Sequence, residues 1–227
     1  MAVPFLVLDK DLRATLDTLH DLLWMGRGVD VPALRKDLVE AGRRMEGFLG
    51  RTSRFSAVMR PMATALDRKS PSGEALYGLL SNFWHLTAAT EHFSKKRYSR
   101  AAARCFEAVD GPWIGFASGL GHHDWVDARR SGRITQEEYL RRVADGLEAR
   151  GARNAGQLKR LAATVAAIKD GLAAKTLPDP AVAARTAVLT TALFLGLYPQ
   201  VMRELGWYQD LPLKDYPRLA GFIASRV

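Results

Sequence analysis

The sequence predicts an all-α protein, and three observations carry that prediction. Apolar residues recur at three- and four-residue spacing along most of the chain, strand-like alternation is weak, and capping residues and glycines punctuate the periodic stretches at helical lengths. The count is eight or nine helices with short connections. That gives a helical bundle, arranged as one unit or as two packed helical layers or subdomains.

Leu12, Leu16, Leu19 and Leu23 lie on one face of a first helix, which Gly26 and Gly28 end. Asp30 caps a second, with Pro32 in its first turn, where a missing N–H costs nothing. Leu34, Leu38, Ala41, Met45 and Phe48 continue it to Gly50, and the pair reads as a helical hairpin. A third runs from Ser53 to Leu66 with Pro61 inside it, and residues 67–73 read as a loop. A long helix from Glu74 to Phe93 buries Leu76, Leu79, Leu80, Phe83, Trp84 and Leu86, and a shorter one spans Ser99 to Val109. Residues 110–134, rich in glycine, read as a loop or two broken helices and as the best subdomain boundary within a single domain, 1–227.

Thr135 and Glu138 have capping-box spacing, and Asn154 with Gln157 repeats it more weakly. Asp179-Pro180 starts the most apolar helix, whose core stretch TAVLTTALFLGLYPQVM is shorter than the roughly 20 apolar residues of a bilayer span. It reads as a core helix, with membrane insertion the alternative. Asp215 and Pro217 open a last short helix. The N-terminus does not read as a signal peptide, and a single cysteine, Cys105, excludes an internal disulfide and a Cys-rich zinc site. These features fit a cytoplasmic protein without a membrane partner, and no cofactor is called for.

Net charge is +9, and it is unevenly spread. Residues 51–105 carry ten basic and three acidic groups, whereas residues 1–50 carry seven and eight. The densest part is EHFSKKRYSRAAARCFE, residues 91–107. Arg54, Arg60, Lys95, Lys96, Arg97, Tyr98, Arg100 and Arg104 are the candidate residues for nucleic acid, RNA or DNA. Phosphate neutralisation needs only charge and reach, guanidinium groups take phosphates bidentately, and a tyrosine can stack on an unpaired base. Any single Lys or Arg here is better explained as a solvated helix face. For the cluster, backbone binding without sequence readout is the leading reading, since no helix-turn-helix, zinc-finger or RNA-binding sheet signature accompanies it. An accessory or structural subunit of a protein complex fits that chemistry. The composition is similar to that of small helical subunits in RNA-guided bacterial complexes, without a shared motif. The alternative is a helical protein-interaction or scaffold module, which would show a large apolar surface patch.

His85, His92, His122, His123 and Asp124 form a second constellation. A His, a later His-Asp pair and a further acid in a helical domain resembles the HD phosphohydrolases, which implies divalent metal activating water against a phosphate ester. The resemblance would make His92 (or His85), His123 and Asp124 metal ligands, with Asp145 or Asp170 completing the set. The segment GLGHHDW departs from that family's apolar helix before the pair, and a polar capped loop is the favoured explanation. The closing helices also resemble those of the glutathione-transferase C-terminal domain, but no thioredoxin-like half precedes them, so no activity is carried over. No phosphate-cradling glycine loop or nucleophile elbow is present, and Cys105 reads as core. A catalytic role is the less favoured reading, and no catalytic residues are named.

Overall fold

The computed structural model describes residues 4–49, 55–64, 66, 71–207 and 214–227. Ten α-helices account for most of them, and there is no strand among the described residues. They are α1 (Pro4–His20), which continues into one π turn (Asp21–Met25), α2 (Val31–Leu49), α3 (Phe55–Thr64), α4 (Pro71–Ser94), α5 (Tyr98–Gly119), α6 (His123–Arg130), α7 (Gln136–Ala149), α8 (Ala155–Ala173), α9 (Pro180–Glu204) and α10 (Asp215–Ala224). The all-α class is as the periodicity predicts, with one or two helices more than the spacing separates.

An antiparallel α4–α5 hairpin lies at the centre. α1 packs on α4, α2 packs on α1 and α3, and α8 and α9 pack on α5, while α10 ties α9 to α4 and α2. Most of the predicted periodic residues are buried: Leu12, Leu16, Leu19, Leu34 and Leu38 on the first hairpin, and Leu79, Leu80, Phe83 and Leu86 on α4. Leu23 and Trp84 are only partly buried, and in the π turn Leu22 takes the buried place expected of Leu23; the Leu76 side chain is outside those described. Burying each such side chain contributes about 1.5–3 kcal/mol, so the apolar stripes dominate the energetics of assembly.

The caps largely follow the predicted chemistry. Asp30 Oδ1 accepts from the Ala33 amide at 3.0 Å, and Asp179 Oδ1 accepts from Ala181 and Val182 at 2.9 and 3.0 Å. Thr135 Oγ1 accepts from the Glu138 amide at 3.1 Å, but the Glu138 carboxylate does not return to the cap. It accepts instead from Arg141 Nε and Nη2 at 3.0 and 2.8 Å and from Arg142 Nε at 2.7 Å. Those arginines hold its pKa down, from 4.5 to about 2. A depressed carboxylate contributes stability above its unfolded pKa and loses that contribution as pH falls from 4.5 toward 2. An NMR titration of the Glu138 side chain is expected to show its midpoint near 2, moving back up in Arg141→Gln. A midpoint in the ordinary glutamate range in the unsubstituted protein would show that the pairing does not persist in solution. Asn154 departs from the predicted cap: its side chain donates to Glu204 Oε1 at 2.8 Å, tying α8 to the end of α9.

The clearest structural difference lies in α5. The basic helix does not stop at Val109 but runs through Gly111, Pro112 and Gly115 to Gly119. Pro112 removes one hydrogen bond, yet Trp113 and Phe116 are fully buried on this turn, and that burial outweighs the propensity of the intervening glycines. Gly119 is required by packing: a Cβ there would lie 2.5 Å from the Trp207 ring. His123–Arg130 then forms α6, so much of the glycine-rich stretch is helical.

α9 is the one helix among the described residues that is long and apolar enough to cross a membrane. Its buried side, including Ala187, Phe194 and Leu195, packs on α5, α8 and α10. Its other side leaves Val182, Leu189 and Leu193 exposed. The hydroxyls of Thr186 and Thr191 donate to carbonyls one turn back within the helix.

Candidate nucleic-acid interface

α4 ends at Ser94 and α5 begins at Tyr98, so the basic segment is a tight corner between them. The turn is closed by Lys96 N–H donating to Phe93 O at 2.8 Å and Arg97 N–H donating to His92 O at 2.9 Å. Lys96 sits in the left-handed region, with φ of 55°. Arg97 precedes α5 without a side-chain cap, so its first amides face outward beside the cations. Lys96, Arg97, Tyr98, Ser99 and Arg100, with Pro180 of α9, line an open groove of about 530 Å³.

The end of α8 meets this corner. Ser99 Oγ donates to Leu172 O at 3.4 Å, and Lys175 follows in the turn leading to Pro180. Lys175 also has a positive φ, 56°. Of the seven left-handed residues described, five are glycine and two are these lysines. An L-residue held there costs about 1–2 kcal/mol relative to its preferred conformations. Both lysines stand at the turns that bring the α4–α5 and α8–α9 corners together.

The candidates differ in how their charge is used. Lys95 pairs with Glu91 on its own helix, and Arg104 with Glu107 at 2.6 Å. Lys96, Arg97, Arg100 and Lys175, all exposed, have no carboxylate partner among the described residues. His92 lies close behind them. Burial lowers its pKa and Arg104, Arg100 and Arg97 lower it further, against the opposing charge of Glu91. The Tyr98 ring is partly buried and packs edge-on against Phe93, with centroids 5.6 Å apart, so it serves the turn rather than presenting a free face.

Arg54 lies outside the described residues. Arg60 is exposed on α3 and is not part of the corner. Ser56 donates to Glu46, Arg35 donates to Leu66 O, Arg44 pairs with Asp11, and Arg13 lies over Trp84. Those contacts tie α3, α2, α1 and α4 together, away from the groove that Lys96, Arg97 and Arg100 line.

The histidine set is not assembled. His92 is near the end of α4, whereas Ser118 holds His123 Nδ1 at 3.1 Å beyond the far end of α5, a separation of about 30 Å along the hairpin. His122 stacks on Trp125 with centroids 3.9 Å apart. Among the described residues no three His, Cys, Asp or Glu side chains gather where they could hold a metal ion. Cys105 is buried, and burial pushes its thiol up to about 12, so it stays protonated at neutral pH.

Two participants escape sequence reasoning. Lys175 is an isolated lysine in the sequence, and only the packing of α8 on α5 brings it to the corner. Arg13 is more than 70 residues from Trp84, yet its Cζ lies 5.7 Å from that ring. No protein-family model, curated protein or solved structure matches the chain.

Proposed function

We propose that the α4–α5 corner binds the phosphate backbone of nucleic acid without reading its sequence, and that the protein acts as an accessory or structural subunit of a larger complex. The observation that supports this reading is that three uncompensated cations, Lys96, Arg97 and Arg100, line one open groove, with a fourth, Lys175, in the adjoining α8–α9 turn. The two strained lysines add to it, because strain retained at a surface turn is a mark of functional sites.

Each phosphate neutralised releases counterions, so four contacts give a log K against log salt slope of about −3 on a single strand and about −4 on a duplex. The test is fluorescence anisotropy with labelled oligonucleotides at low and moderate salt. The triple variant Lys96→Ala, Arg97→Ala, Arg100→Ala is expected to flatten the slope to that of about one contact and to weaken low-salt binding by at least about tenfold. Salt-independent binding, or none, would overturn the reading.

A second reading, a protein-interaction module, is favoured by one observation: Val182, Leu189 and Leu193 project from one exposed side of α9. It predicts a mass above 25.1 kDa by light scattering in the presence of its partner.

A further inference from the structure

From the seam that leads away from the corner, we infer that the nucleic acid is single-stranded, and that Arg13 and Arg104 hold its unpaired bases on either side of Trp84. This rests on the proposed function of the corner itself. Arg97, Arg100 and Arg104 rise along α5 in one file, seven residues or about 10 Å from first to last. The file ends at the half-buried Trp84 ring of α4, where Arg104 Cζ lies 5.1 Å and Arg13 Cζ 5.7 Å from the centroid.

Two guanidinium planes from different helices thus meet one aromatic ring. Their carboxylates do not consume them: Glu107 takes Nη1 of Arg104 at 2.6 Å, and Asp17 approaches Nε of Arg13 at 3.8 Å. Both contacts are made at guanidinium nitrogens, at the edge of the group, so neither carboxylate covers the face of the group turned away from Trp84. Unpaired bases stack on arginine planes and aromatic rings, whereas paired bases inside a duplex hide those faces. Arg97, Arg100 and Arg104 also form a single line. One strand's phosphates follow one line, while a duplex presents two backbones across a groove.

The experiment compares a labelled single strand of about 20 nucleotides, longer than one site, with the blunt duplex of the same sequence. Both are titrated by anisotropy against the full chain at equal salt. The single strand is expected to bind at least about tenfold tighter. Arg13→Gln, a change at a 64 % exposed side chain that leaves the core untouched, is expected to weaken the single strand about fivefold or more and leave the duplex unchanged. Arg104→Gln is expected to weaken the single strand likewise. Equal affinity for the two substrates, or a single-strand affinity indifferent to Arg13→Gln, would overturn this inference while leaving the corner's salt-dependent binding in place. Absence of salt-dependent binding to either substrate would overturn the corner's assignment and this inference with it.

Discussion

Trp113→Ala lowers stability by about 3–5 kcal/mol, the range for removing a fully buried aromatic side chain. Thermal melting should record this as a fall in Tm of roughly 10 °C for a domain of this size. Trp113 is the largest of the fully buried side chains and packs edge-on to Phe116 at 5.7 Å. It sits one residue after Pro112, where α5 has already lost a backbone hydrogen bond, so the turn depends on this side chain for its place. The indole N–H has no partner among the described residues. Trp113→Phe therefore discards an orphan donor together with some volume, and its loss should be well under half that of the alanine variant. Equal losses for the two would show that shape and not burial governs the site.

Arg129→Ala is expected to be comparably damaging, again about 3–5 kcal/mol, because it strands a partly buried carboxylate. Arg129 of α6 binds both oxygens of Asp110 on α5, with Nη2 to Oδ2 at 2.9 Å, and its Nη1 also reaches Gln136 at 3.1 Å. Its guanidinium carbon lies 4.7 Å from the Tyr139 ring centroid on α7. The two side chains are only 12 % and 16 % exposed, so solvent screens the pair little. One residue thereby fastens three helices. The double variant Arg129→Met, Asp110→Leu should lose much less than the sum of the single variants, since removing both charges leaves neither uncompensated. Urea unfolding of the four proteins measures this directly, and additive losses would mean that the two groups act independently.

The helices were legible because their information is local. Leucines at three- and four-residue spacing mark the buried faces, and Asp30, Thr135 and Asp179 announce their helices by side-chain chemistry that acts within three residues. α5 past Val109 was not legible, since its glycines and Pro112 argue locally for a break that only burial against α4 and α9 prevents. The same limit applies to the candidate site. Lys96, Arg97 and Arg100 were visible as a run in the sequence, and the corner keeps them together. Their freedom from carboxylates, the arrival of Lys175 and the meeting of Arg13 with Trp84 depend on contacts between helices far apart in the chain. Left-handed lysines are invisible for a further reason: glycine is the residue that ordinarily signals that conformation.

Pro112 has one more effect. Without an N–H at that position, the Ala108 carbonyl lacks its helical partner, and α5 has a missing rung between its charged beginning and its aromatic end. Ala101, Ala102, Cys105 and Ala108 are nonetheless fully buried ahead of that gap, and Trp113 and Phe116 beyond it, so packing on both sides carries α5 unbroken across the missing bond.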